Sequence, residues 1–212
     1  MILIGMFDSP FVRRVAVSMR LLGVDFEHRN WSVGHDFELI RQFNPVGRVP
    51  TLVLADGEVL VESAAILDFI DEFAGAAAPL LPKSGKERRD ALRVTSLAIG
   101  AAEKGVAQLY EVAFRPPEKR HSPWTERCRT QVQAGLSELD RIAQSRTGEW
   151  LIGNRLSQAD VTTACVYTFL SEALGVNRDN AYPGLSSIAG RCETREEFSA
   201  FKAPFFPPAQ GG

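Results

Sequence analysis

Strand patterns occur only in the first 61 residues of this chain, interleaved with helical ones, and every periodic segment after residue 83 is helical. That change constrains the fold more than any composition does, because a small sheet formed early must be covered by helices made partly later. Ile2 to Phe7 is a short apolar run suited to a buried strand. Ser9-Pro10 then opens a helix, with Phe11, Val12, Val15, Met19 and Leu22 at helical spacing and Gly23 closing it. A strand over Val24 to Trp31 and a short helix over Asp36 to Phe43 follow. Val49 to Leu54 and Glu58 to Val61 flank Asp56-Gly57, a hairpin pattern, and Ser63 caps a helix carrying Ile66, Leu67, Ile70 and Phe73. The order β-α-β-α-β-β-α predicts a four-stranded mixed sheet with helices packed on it.

Gly75-Ala-Ala-Ala-Pro79-Leu-Leu-Pro82 interrupts the pattern and reads as a linker. The predicted organisation is a domain over 1–75, a linker over 76–84 and an all-helical domain over 85–212. The spacing predicts helices at about 86 to 114, 123 to 146, 157 to 174 and 184 to 196, with the Pro-rich tail from Phe198 irregular.

Composition removes whole classes of function. Lys plus Arg total 24 against 26 Asp plus Glu, a net charge of −2, so the basic face that nucleic acid requires is missing. Apolar stretches break well before the roughly 20 residues of a membrane span, and the start lacks the basic region of a signal peptide. Cys128, Cys165 and Cys192 are odd in number, widely spaced and without a C-x-x-C pair, which points to a reducing, cytoplasmic setting. His28, His35 and His121 stand at no ligand spacing from one another or from cysteine, so no metal site is expected.

Four local patterns bear chemistry. Ser9, at a strand-to-helix junction, is either a helix cap or a hydroxyl that stabilises a thiolate at the helix's positive end. Val49-Pro50, at the opening of a strand, either begins an ordinary strand or, with a cis bond, turns the Val49 N–H and C=O toward a peptide-like ligand. Glu62-Ser63, at a helix start, is either a plain acid and cap or a clamp for an amino-acid headgroup. Ser157-x-x-Asp160 before Val161 reads as a capping box, a folding signal rather than a catalytic one. Tyr110, Phe114 and Trp124 are candidates for an apolar pocket or for core. Arg13 and Arg14 are expected to attract a carboxylate or to be solvated, and Cys128, between Arg127 and Arg129, to be a thiol of lowered pKa if exposed or otherwise an inert helix-face cysteine.

With these residues in order, the chain resembles the glutathione S-transferase family over nearly its whole length, and its serine places it near the serine-type bacterial members. The resemblance implies a thioredoxin-like N-terminal domain, a helical C-terminal domain, a cis Pro50 and a homodimer. It implies that Ser9 supports the glutathione thiolate and that the Val49 backbone meets the cysteinyl unit beside Pro50. By the same resemblance, Glu62 with Ser63 clamps the γ-glutamyl group, and His35 and Arg48 lie near the glycyl carboxylate. Phe11, grouped with the glutathione-binding residues, fills a place that in the family tends to line the electrophile pocket; Tyr110 and Phe114 are candidates for that pocket from their own pattern, since the second half matches no class of the family by its pocket residues. The activity implied is transfer of glutathione to a small hydrophobic electrophile in detoxification. The alternatives are a glutathione-dependent disulfide reductase or isomerase on this fold, or a non-catalytic interaction protein.

Overall fold

The computed structural model describes residues 1–75 and 79–207; Ala76–Ala78 of the predicted linker and Pro208 of the tail lie outside the described residues. Four short strands, β1 (Ile2–Ile4), β2 (Glu27–Arg29), β3 (Thr51–Val53) and β4 (Val59–Val61), form one sheet in the order β2-β1-β3-β4. β1 runs parallel to β2 and antiparallel to β3, and β3 and β4 make the Asp56-Gly57 hairpin. Alternation along the strands separates two faces. Leu3 and Leu52 pack with Val12, Val15 and Met19 of α1 (Pro10–Leu21) and with Ile66 and Ile70 of α3 (Ser63–Phe73). Ile4 and Val53 pack with Ile40 of α2 (Phe37–Arg41).

Beyond residue 84 the described residues are helical or irregular: α4 (Gly85–Ala113), α5 (Ser122–Ser145), α6 (Gln158–Leu174), α7 (Pro183–Glu193) and α8 (Glu196–Ser199). Small side chains on α4, Ala91, Ala98, Ala101 and Ala102, let it pack closely on α5 and α6, where Val132, Leu136, Leu139, Val166 and Leu170 complete a second core. Ser157 and Asp160 form the capping box of α6, and the buried Asp160 carboxylate also accepts the Leu151 N–H at 2.8 Å.

Three expectations are corrected. The strands are shorter than their apolar runs. The Val24 N–H closes α1 on the Met19 carbonyl and the Trp31 N–H turns back to Arg29, so both flanks of β2 leave the ladder. The last predicted helix is two, because extended backbone at Arg195 ends α7 before α8 begins, and the chain is regular to Ser199 rather than irregular from Phe198.

The third concerns the solvated alternative for Arg13 and Arg14: both are buried against the helical half, and Arg13 takes the other alternative by pairing with a carboxylate of the chain itself. Arg13 donates to both Glu193 carboxylate oxygens at 2.8 Å, to the Phe198 carbonyl at 3.0 Å and to the Phe201 carbonyl at 3.1 Å. Arg14 donates to Thr162 at 3.1 Å, and burial lowers its pKa to about 10, which leaves it charged near neutrality. Ser18 accepts from the Gln158 side chain at 2.7 Å. A single face of α1 therefore carries the polar seam between the two cores.

Burial pushes the Glu193 carboxyl up, but the Arg13 hydrogen bonds and charge outweigh it and hold that pKa below its ordinary 4.5. A carboxyl so depressed contributes stability above the unfolded-state value and loses it as pH falls through the folded one. Glu193→Gln should cost about 2–3 kcal/mol at neutral pH, somewhat less than for a fully enclosed pair because the side chain keeps 16 % of its exposure. Denaturant unfolding at several pH values checks this, and the gap from wild type should close below pH 4.5.

Candidate functional site

The sheet register gathers the sequence patterns at one end. Ile4 pairs with Thr51 and Arg29, and Thr51 pairs with Val61. The next residues beyond the ladder are therefore Gly5, Pro50 and Glu62, followed by the Ser9 turn, preceded by Val49, and followed by Ser63 respectively. The Val49–Pro50 peptide is cis. Among the described residues no hydrogen bond engages the Val49 N–H or C=O. Glu62 has φ 73°, a left-handed conformation that costs a non-glycine residue of order 1 kcal/mol or more, and its carboxylate accepts the Ser63 hydroxyl at 3.2 Å.

Gly5 makes this convergence possible. A Cβ there would lie 2.5 Å from Val12 Cγ2 and 2.8 Å from Val49 Cβ, and the residue has φ 133°. Only a residue without a side chain lets β1, α1 and the Val49 segment meet so closely.

Beside this end lies a cavity of about 470 Å³. Ser9, Phe11, Arg48 and Val49 line it, and Tyr110 and Phe114 from the end of α4 form part of its far wall. Those six sequence-level candidates converge. Pro50, Glu62 and Ser63 lie at the same sheet end but outside the lining, and the exposed His35 is not among the lining residues. Trp124 is also outside it, with Lys104 Nζ 5.7 Å over its ring, and Cys128 is fully buried in α5.

Ser9 is at the N-cap position of α1, but its side chain makes no capping bond. Pro10 has no N–H, and the first helix bond runs from the Arg13 N–H to the Ser9 carbonyl, so the Phe11 and Val12 N–H groups lie in the unpaired first turn. The result is a free hydroxyl donor at the positive end of a helix, facing a largely apolar cavity. Burial raises the Tyr110 phenol pKa above its usual 10, so this wall stays neutral.

Sequence reasoning missed the rest of the lining. Trp31, Val33 and Phe37 come from the loop and helix after β2, Val106 and Leu109 from α4, and Phe169 from α6. Asp8 precedes the serine, and Phe205 and Phe206 come from the tail. The one available signal was the Phe-Phe pair between Pro204 and Pro207, two large apolar residues in a segment otherwise unsuited to a core.

The chain matches the glutathione S-transferase N-terminal domain over residues 3–78 and the C-terminal domain over residues 122–203. A probable glutathione S-transferase of Nicotiana tabacum is 30% identical over 165 residues, 77% of this chain and 68% of the relative. The chain belongs to the glutathione S-transferase family. A GST-like protein of Escherichia coli K12, YibF, is 29% identical over 205 residues, 95% of this chain and 98% of the relative. Among solved structures, a glutathione S-transferase of Methylobacillus flagellatus with glutathione bound superposes with a TM-score of 0.87 at 26% identity, covering 96% of this chain and 99% of that one. The fold is that of the glutathione S-transferase family, a thioredoxin-like N-terminal domain followed by a helical C-terminal domain.

Gly5→Ala should displace Val49 and cost roughly 2–3 kcal/mol in overpacking and backbone strain. Thermal unfolding checks it, and an unchanged midpoint would contradict the close approach.

Proposed function

We propose that this chain is a glutathione transferase that binds the tripeptide along the described sheet end, keeps its thiol ionised at Ser9 and presents the thiolate to a small apolar electrophile in the cavity. The observation that carries this reading is the uncommitted Ser9 hydroxyl. A serine serving only as a cap would spend its oxygen on the first-turn N–H groups. This one is free to donate to an anion, with the helix's positive end behind it.

The residues present fit the tripeptide. Glu62 and Ser63 suit the ammonium and carboxylate of a γ-glutamyl headgroup, and the unpaired Val49 backbone suits the cysteinyl amide. Arg48, exposed and without a carboxylate partner among the described residues, provides a counter-charge for the glycyl end, with His35 as a second hydrogen-bonding group. In this reading residues 1–75 hold glutathione, 76–84 connect, and 85–212 supply the electrophile side through Tyr110 and Phe114. The protein contributes positioning and charge stabilisation, since a thiolate formed near neutral pH is already a strong nucleophile. No cysteine lines the cavity and all three are buried and unpaired, which favours transfer over a covalent disulfide-exchange route and suits a cytoplasmic setting.

A homodimer is also part of this reading. β4 is an edge strand with Val61 40% exposed, and Phe73, at the far end of the α3 helix that follows it, is 59% exposed, so the edge and the end of α3 both leave apolar side chains for a second copy to cover.

Ser9→Ala should lower kcat/KM for an aryl halide by about 10- to 150-fold, the equivalent of roughly 1.5–3 kcal/mol for a hydrogen bond to a charged group. Equal rates would remove Ser9 from the mechanism, and turnover of a small disulfide without conjugation would move the chemistry to reduction. Light scattering should give twice the chain mass for wild type and a shift toward the monomer for Phe73→Glu.

A further inference from the structure

We infer that the C-terminal segment Lys202–Pro207 is a specificity strap: Phe205 and Phe206 select flat aromatic electrophiles, and the carboxylates of Glu172 and Asp8 are positioning groups that hold the two rings at the cavity. This rests on the transferase reading for its substrate but not for its geometry. Arg13 fixes the start of the segment by holding the Phe198 and Phe201 carbonyls. From there the chain crosses to the cavity. Between Ala203 and Pro207 the two prolines leave only three N–H groups. Two of them are latched, the Phe205 N–H by Glu172 Oε2 at 3.1 Å and the Phe206 N–H by Asp8 Oδ2 at 3.1 Å.

The latched side chains enter the same lining as Ser9. Phe205 makes an edge-on contact with Phe169, their ring centroids 5.7 Å apart, so it is part of the wall. Phe206 is different, because 70% of it remains exposed although it lines the cavity. A large ring that lines the cavity with most of its surface in water gains burial when an aromatic guest occupies that cavity. Both latches lie at the surface, where water competes with a carboxylate acceptor, so they are weak enough to release the strap and admit a guest. The prolines limit the conformations lost when it closes again.

The test uses the full chain and the neutral aromatic probe N-phenyl-1-naphthylamine, followed by fluorescence, with glutathione affinity measured by calorimetry on the same samples. Asp8 is left intact because it adjoins Ser9. Phe206→Ala should weaken the probe by about ten-fold and Glu172→Ala by about five-fold, each leaving glutathione within two-fold, while Glu172→Gln, which keeps an acceptor oxygen, should stay near wild type. Probe affinity unchanged in both alanine variants would overturn the strap. So would a parallel loss of glutathione affinity, which would mark the segment as general support. Wild type that binds the probe in this strap-dependent way but binds no glutathione would leave the strap standing and refute the transferase reading.

Discussion

The buried Arg13 guanidinium is the interaction on which the rest of the molecule depends. It extends from α1, the helix that covers the sheet, and ends among α7, α8 and the tail, donating to one carboxylate and two carbonyls. Glu193 also accepts the Thr168 hydroxyl at 2.9 Å, so α6 is tied into the same node. A buried charge pair of this kind adds little net stability over apolar packing, but it tolerates few alternative geometries. Its consequence is positional. The cavity has one wall from the sheet end and one from α4 and α6, and those walls belong to separate hydrophobic cores. Their spacing is set by how α1 docks, and Arg13 sits one turn from Ser9.

The electrostatics of α1 follow from the same placement. Arg13 is matched by Glu193, whereas Arg14 has a hydroxyl partner and stays a buried cation, with Glu62 contributing a stabilising charge to it. The N-terminal end of the helix thus combines its dipole with a Ser9 hydroxyl that makes no capping bond, beside the Asp8 carboxylate that lines the same cavity. An anion beyond that end gains from the dipole and the donor, set against the repulsion of the Asp8 carboxylate.

Much of this was legible in the residues and some was not, for separable physical reasons. Ser9-Pro10, the Asp56-Gly57 hairpin and the Ser157/Asp160 box are local signals with local causes, and each stands where the sequence put it. Arg13 and Arg14 were unreadable because adjacent arginines on a helix give no sign that a later helix will bury them. The lining from Trp31, Phe37 and Phe169 depends on how distant helices and loops dock, which no spacing encodes. The tail was read as irregular, correctly for its backbone after Ser199, yet its two phenylalanines reach the cavity because two distant carboxylates accept their N–H groups. His35 was placed by resemblance near a carboxylate, and the structure leaves it exposed, outside the lining.

The central claim is that the junction of β1 and α1 keeps a bound thiol ionised. Ultraviolet titration of glutathione bound to the wild-type protein tests it most directly, by following thiolate absorbance against pH. The bound thiol should lose its proton about one to two pH units below free glutathione, the shift that a charged hydrogen bond and a helix terminus together supply. A titration curve that overlays the free tripeptide's would contradict it.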